Sequence, residues 1–156
     1  MSAPDLLYSD VETDLRASVA DMLADHCEPS ALLARVESDE PYDPALWRTI
    51  AGELGLAGLH VPEAFGGQGA STREAAVVLE ELGRSAAPVP YLGSAVLATS
   101  VLLAADPADG GPVADLLRGL TSGERTGTLV VPASTAPDAA FPTAVRADAD
   151  GVLTGT

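Results

Sequence analysis

The segment PEAFGGQGASTRE (Pro62–Glu74) decides how the middle of this 156-residue chain is interpreted. Three of the four residues at 66–69 are glycine, and they precede Ser71 and Glu74, a capping box that begins a helix. Glycine-rich loops before helices often bind phosphates. This one lacks the third glycine of G-x-G-x-x-G, and the chain has no lysine to complete a P-loop. We therefore interpret the loop as a tight turn and not as a nucleotide site.

Helical patterns flank this loop on both sides. Ser9 and Glu12 form another capping box, and Asp43 before a proline is a good N-cap, with Gly55 at the corresponding C-terminal position. Apolar residues recur at helical spacing after each start. The predicted helices span residues 10–26, 30–37, 44–54, from the Ser71 cap to about 83–85, 89–105 and 112–120.

The remaining segments predict extended structure. GLAGLHVP (Gly55–Pro62) is expected to be an extended connector, and RTGTLVVP (Arg125–Pro132) a strand. TAVRADADGVLTGT (Thr143–Thr156) is typical of a hairpin that turns at Asp150-Gly151. The sequence thus predicts a mainly α fold: a helical domain over residues 1–120, then the first strands of an incomplete β domain over residues 121–156. Two or three strands cannot close a β domain.

Charge and composition exclude several classes of function. Hydrophobic residues make up 47% of the chain, which suffices for a core, and the net charge of −15 would repel nucleic acid and anionic membranes. The stretch Ser85–Ala105 carries no charge, but Pro88 and Pro90 crowd its start, and Asp106 and Asp109 flank its end without a basic anchor. We expect a buried helix there, no membrane span, and, without a signal-peptide pattern, a cytoplasmic protein.

Side chains with catalytic or metal-binding chemistry are sparse. His26 and His60 lack partners at metal-ligand spacing, so no metal site is predicted. Cys27 is the only cysteine, which excludes an internal disulfide, and a buried structural thiol is expected. Glu80-Glu81 is expected on a solvated helix face. The residues alone therefore show no catalytic group.

The order of the motifs resembles the N-terminal domain of acyl-CoA dehydrogenases. Residues 46–90 follow that family's W…L-G…G…P-E-x-(Y/F)-G-G-x-G pattern, then its helix ending E-E-L-G-R. The matching residues are Trp47, Leu54, Gly55, Gly58, Pro62, Glu63, Phe65, Gly66, Gly67, Gly69, Glu80, Glu81, Leu82 and Gly83. The likeness extends more loosely over the rest of the chain, including the segment Leu120–Glu124 before the β region.

The resemblance implies a flavoenzyme that holds FAD and an acyl-CoA thioester, passes electrons to an electron-transferring flavoprotein and forms homo- or hetero-oligomers. The family's glutamate base usually lies in a C-terminal domain, so no catalytic residue is assigned in this chain. The family's flavin-contacting stretch, roughly T-E-P-x-x-G-S-D, corresponds here to residues from Pro132. Pro132 and Ala133 replace its threonine and glutamate, so tight flavin binding by this loop is in doubt.

The same resemblance suggests where cofactor and substrate would lie. The backbone of Val130 and Val131 is expected near the flavin ring. Tyr91, Ser94 and Leu97, on the uncharged helix, are the candidate acyl-binding residues, and its small residues would leave room for a bulky or ring-containing group. Plain core packing is the alternative for this helix.

Three functions stay open from the sequence. The first is an acyl-CoA dehydrogenase that binds FAD. The second is a flavin-poor partner subunit of a heteromeric acyl-CoA dehydrogenase, favoured by the altered loop at Pro132. The third is a non-catalytic helical interaction module, disfavoured because its β strands would have exposed edges.

Overall fold

The computed structural model describes residues 7–105, 107, 110–131, 135–136, 138 and 145–155. The α-helices are α1 (Asp10–His26), α2 (Pro29–Val36), α3 (Pro44–Arg48), α4 (Thr72–Arg84), α5 (Thr99–Ala104) and α6 (Pro112–Thr121). The π-helical stretch Thr49–Glu53 continues α3, and the π-helical stretch Tyr91–Ala98 precedes α5. Short 3-10 turns form at Leu56–Gly58 and Glu63–Phe65. The strands are β1 (Val145–Ala147) and β2 (Leu153–Gly155). The predicted, mainly helical fold is confirmed.

Both predicted capping boxes form. The Ser9 hydroxyl accepts the Glu12 N–H at 3.2 Å, and the Glu12 carboxylate accepts the Ser9 N–H at 2.7 Å. At the start of α4, the Glu74 carboxylate accepts the Ser71 N–H at 2.9 Å. These reciprocal bonds satisfy N–H groups that a helix cannot pair internally. The starts of α1 and α4 are therefore set by local sequence.

The core lies where α1 and α4 pack against the α3 region and the Tyr91–Ala98 π-helix. Ile50 and Val78 are fully buried near its centre, and Trp47 and Leu82 are almost completely covered. Burying each such side chain contributes roughly 1.5–3 kcal/mol. The apolar face of α4 predicted from its sequence is the face that meets this core.

Glu81 is buried, which overturns the expectation of a solvated Glu80-Glu81 pair. Its carboxylate lies 3.3 Å from Arg16 Nη1 on α1 and 3.1 Å from Arg84 Nε. Glu80 is half-exposed and also pairs with Arg16. A buried carboxylate is tolerated only when cations meet it. Arg16 therefore ties α1 to α4 through Glu81, while Arg84 pairs with Glu81 within α4 itself.

The connector Gly55–Pro62 is compact, and the prediction of an extended segment was wrong. Gly55 has a φ of 66°, the left-handed conformation that ends the preceding helix, and Leu56–Gly58 then forms a 3-10 turn. Leu56, Leu59 and Val61 are all buried. Because these apolar side chains do not alternate, an extended strand could not bury all of them, whereas a curled segment does.

The uncharged helix forms in two parts, the π-helix Tyr91–Ala98 and α5. At its start the Tyr91 hydroxyl donates to the Leu56 carbonyl at 2.9 Å inside the core. At the junction with α5, Thr99 Oγ1 donates to the Ala95 carbonyl at 2.6 Å. The predicted helix is confirmed, and its N-terminal half is wound more loosely than an α-helix.

The β region is only partly as predicted. β1 and β2 pair antiparallel, with Val145 opposite Gly155, so the hairpin is confirmed over these residues. Its outer residues Thr143, Ala144 and Thr156 lie outside the described residues. The strand expected over Arg125–Pro132 is absent in its described part, residues 125–131, because no described backbone lies beside it to form a ladder.

Among the described residues, no helix is both long enough and apolar enough to cross a bilayer.

Candidate functional site

The glycine loop is closed by its own hydrogen bonds. Each backbone N–H from Gly66 to Ala70 donates to a carbonyl between Gly58 and Glu63, at 2.7 to 3.2 Å. A Cβ on Gly67 would lie 2.0 Å from the Val61 carbonyl oxygen, so only glycine fits there. Since no N–H in the loop is left to donate outward, a phosphate would find no donor. The loop is a turn, as its spacing predicts.

A second glycine-containing stretch, the Thr126–Val131 segment, has the opposite character. It is neither helix nor strand, and it follows Arg125, whose N–H donates to the Gly119 carbonyl at 2.9 Å. From Thr128 to Val131, no backbone N–H or C=O has a hydrogen-bond partner in the part of the chain that the structure describes. The Val130 side chain is 80% exposed. This backbone is therefore available to a ligand or to another strand.

Grooves run along both sides of the Thr126–Val131 segment. The Tyr42 groove has a volume of about 470 Å³, and the Leu116 groove about 260 Å³. The Tyr42 groove is lined by Tyr42, Val89, Pro90, Leu92, Gly93 and residues 126–128. The Leu116 groove is lined by Ala98, Val101, Leu102, Leu116, Leu120 and residues 125–129. Both grooves share the uncharged helix as a wall, and both are mainly apolar.

The three predicted acyl-binding residues occupy different environments. Tyr91 is buried in the core with its hydroxyl bonded to a carbonyl, and burial raises the pKa of this phenol far above its usual range. Ser94 is fully buried, and its hydroxyl accepts the Gly127 N–H at 3.2 Å. Leu97 is 40% exposed. The structure thus brings Ser94 to the segment that carries Val130 and Val131, while Tyr91 lies away from it.

The histidines and the cysteine form no reactive cluster. His60 Nε2 lies 3.0 Å from Thr99 Oγ1, and burial lowers the pKa of this imidazole. His26 is exposed, with Nδ1 2.8 Å from the Met22 carbonyl. Cys27 is a partly buried free thiol whose pKa is raised by burial. Among the described residues, no group of three or more histidine, cysteine or acidic side chains could hold a metal ion.

Similarity to known proteins identifies the family. The family model for the N-terminal domain of acyl-CoA dehydrogenases matches residues 9–108. The chain belongs to the acyl-CoA dehydrogenase family. The acyl-CoA dehydrogenase IpdE2 of Mycobacterium tuberculosis is 39% identical over 117 residues, which cover 75% of this chain and 35% of that protein. The chain thus spans about a third of the length of this relative.

Solved structures agree with this assignment of the fold. The ChsE4-ChsE5 complex from Mycobacterium tuberculosis superposes with a TM-score of 0.67 at 28% identity, covering 79% of this chain and 33% of that one. A variant of the Tcur3481-Tcur3483 steroid ACAD gives a TM-score of 0.63 at 34% identity, and the match covers 75% of this chain and 31% of that one. The ChsE4-ChsE5 neighbour is a complex of two differently named proteins.

Acyl-CoA dehydrogenases generally use FAD, and the Thr126–Val131 segment can be tested against that cofactor. The edge of a flavin ring needs hydrogen-bond donors and acceptors, and the unpaired backbone groups of Val130 and Val131 supply both. These two residues therefore fit backbone contacts to a flavin. Both side chains are apolar, so neither adds a donor of its own.

The sequence-based predictions missed the contacts that hold this segment in place. Gly119, inside α6, lies under Arg125, because a Cβ there would lie 2.9 Å from Arg125 Cδ. Gly127 is similarly close to Ala98 and Leu120. A glycine inside an amphipathic helix is the signal that could have indicated such a close approach.

Proposed function

We propose that this chain supplies the N-terminal helical part, residues 1–120, and the start of the β domain, residues 121–156, of an acyl-CoA dehydrogenase. The reaction is α,β-dehydrogenation of an acyl-CoA thioester. The observation that carries this proposal is the Thr126–Val131 segment, which is bonded to the uncharged helix at Gly127 and, in the described structure, leaves its backbone unpaired from Thr128 onward. Family membership supports the class of reaction.

The backbone of Val130 and Val131 would hold FAD, which would supply the acceptor for the hydride from the substrate β carbon. This chain's residues bind and orient the reactants. The N–H groups of Val130 and Val131 would donate to the flavin ring. The apolar side chains of the uncharged helix would exclude water from the thioester. Because the described acidic residues lie in ion pairs or on the surface, the base that removes the α proton is assigned to no residue here.

The acyl group would contact the accessible face of the uncharged helix. Leu92 and Leu97 are exposed on it, and Leu92 and Gly93 line the Tyr42 groove. Tyr91 and Ser94 are covered and would support this face from beneath. We propose a bulky acyl group as the substrate class. The neighbour described as a steroid ACAD supports that choice.

A second candidate function is that of a flavin-poor partner subunit in a heteromeric acyl-CoA dehydrogenase. The specific observation in its favour is Pro132 followed by Ala133, which removes an N–H and two polar side chains where the family contacts flavin. The two-protein neighbour supports a hetero-oligomer. In either case we propose a cytoplasmic location and an electron-transferring flavoprotein as the electron acceptor.

Co-expression separates the two functions. The full-length protein is produced alone and together with a co-encoded homologue, and flavin absorbance and dye reduction by acyl-CoA substrates are measured. A yellow protein that is active alone supports the first function. A colourless protein that gains flavin only with its homologue supports the second. Absence of flavin and activity in both preparations would contradict both and favour an interaction module.

A further inference from the structure

We propose that Ser94 is a positioning residue, which fixes the Thr126–Val131 segment on the uncharged helix and thereby sets the place of the Val130 and Val131 backbone. The effect on flavin binding rests on the proposed function. The attachment itself does not. This assigns Ser94 a role through the protein backbone and not through contact with the acyl group.

The hydrogen bond from Gly127 is the main polar link between the segment and the helix. Ser94 Oγ accepts the Gly127 N–H at 3.2 Å, and Ser94 itself is completely buried. Across the described residues, no other hydrogen bond joins the Thr126–Val131 segment to the uncharged helix. Removing the Ser94 oxygen would leave a partly buried N–H without an acceptor.

The absence of a side chain at Gly127 allows the segment to approach the helix closely. At Gly93, by contrast, a Cβ would make only ordinary van der Waals contact, 3.6 Å from Thr128 Oγ1 and 3.7 Å from the Gly127 carbonyl oxygen. A Cβ on Gly127 would lie 3.1 Å from the Ala98 Cβ, tighter than ordinary contact. The serine bond thus acts within a close backbone contact that allows the segment little freedom.

The helix that presents Ser94 is itself held at both ends. The Tyr91 hydroxyl is bonded to the Leu56 carbonyl at 2.9 Å, and Thr99 Oγ1 is bonded to Ala95 and lies 3.0 Å from His60 Nε2. Between these anchors the chain is a π-helix, a form often found at functional sites. Ser94 therefore stands on a fixed support.

The bond acts at short range on the candidate cofactor contacts. Val130 follows Gly127 by three residues, so the chain places it at most about 11 Å away. Neither Thr128 nor Leu129 makes a described backbone hydrogen bond that could fix the chain in between. Gly127 is therefore the nearest fixed point before Val130.

The test compares Ser94→Ala with Ser94→Thr, which keeps a hydroxyl, and with the control Ser100→Ala on the exposed face of α5. All are made in the full-length protein, with its homologous subunit if one co-purifies. Exchange of the Gly127 amide is measured by residue-resolved hydrogen exchange, and the FAD dissociation constant by quenching of flavin fluorescence. Thermal melting verifies that each variant is folded.

We expect Ser94→Ala to speed Gly127 exchange and to weaken FAD binding, each about tenfold. Ser94→Thr should recover part of the Gly127 amide protection and part of the FAD affinity. Ser100→Ala should change neither the exchange rate nor the FAD affinity. Unchanged Gly127 exchange in Ser94→Ala would overturn the attachment. Faster exchange with an unchanged FAD dissociation constant would overturn the positioning role. If the wild type binds no FAD, the proposed flavin function fails, while the exchange result still decides the attachment.

Discussion

The glycine loop Gly66–Ala70 and the Thr126–Val131 segment are both glycine-containing connectors beside helices, yet they differ in their hydrogen bonds. Every N–H of the loop is used internally. In the described structure, the segment leaves its backbone groups unpaired from Thr128 onward. Glycine allows close packing in both, at Gly67 in the first and at Gly127 in the second.

The difference shows that glycine content alone does not indicate a ligand site. In the loop, glycine allows the chain to turn back on itself and satisfy its own donors. In the segment, glycine allows one backbone to lie against a helix while the next residues remain open. The capacity to bind follows from unpaired backbone groups and not from the number of glycines.

Gly67→Ala should have the largest effect on stability. Its Cβ would lie 2.0 Å from the Val61 carbonyl oxygen, so the loop must shift and lose bonds. We expect a loss of about 3 kcal/mol in the free energy of unfolding, measured by urea titration. Gly83→Ala is the control, because a Cβ at that helix position has nothing within 4 Å. It should stabilise the protein by about 0.5–1 kcal/mol. Equal destabilisation by both changes would contradict the tight fit at Gly67.

Gly127→Ala should destabilise the protein less. The added Cβ would lie 3.1 Å from Ala98 and 3.2 Å from Leu120, whose side chain can move a little. We expect a loss of about 1 kcal/mol by the same titration, together with weaker FAD binding. A loss as large as that of Gly67→Ala would show that the segment is as rigidly built as the loop, and would remove the contrast between them.

Gln68→Ala should have a smaller effect again. Gln68 Nε2 donates to the Gly55 carbonyl at 3.0 Å, but this bond is exposed to solvent. Loss of an exposed hydrogen bond is expected to lower the free energy of unfolding by about 0.5 kcal/mol. FAD binding and dye reduction should not change. A change in either would show that the loop contributes to the site after all.

Glu12→Gln should change the stability of the protein in a way that depends on pH. Backbone bonding to Ser9 and the Arg73 guanidinium lower the pKa of Glu12 to about 2 in the folded protein, from 4.5. Arg73 is half-exposed, so solvent screens the pair. The stability that Glu12 contributes is complete above pH 4.5 and disappears as the pH falls toward 2. Melting temperatures of wild type and variant should therefore converge in acid. A constant difference across this range would contradict the assignment.

Local sequence was sufficient to predict the helices. Ser9 and Ser71 determine helix starts through bonds to residues three positions away, so the pattern is visible without the fold. The closed glycine loop was also predicted, because the phosphate fingerprints were absent. The absence of charge from Ser85 to Ala105 indicated the uncharged helix, and the family resemblance suggested the segment near Val130 as a cofactor contact.

Long-range contacts could not be predicted in this way. Glu81 looks like a surface residue until Arg16, 65 positions away, is placed against it. Tyr91, at the start of the π-helix before α5, bonds to the carbonyl of Leu56, 35 positions away. The bond between Ser94 and Gly127 joins residues 33 positions apart. Each needs the tertiary fold, whereas a single sequence shows only local spacing.

Hydrogen exchange of the full-length protein with and without FAD tests the central contrast most directly. We predict that amides of Gly66–Ala70 are protected in both states. Amides of Thr128–Val131 should exchange rapidly without FAD and become protected when FAD is added. Protection of the glycine loop that appears only with FAD, while Thr128–Val131 remains unprotected, would contradict the account.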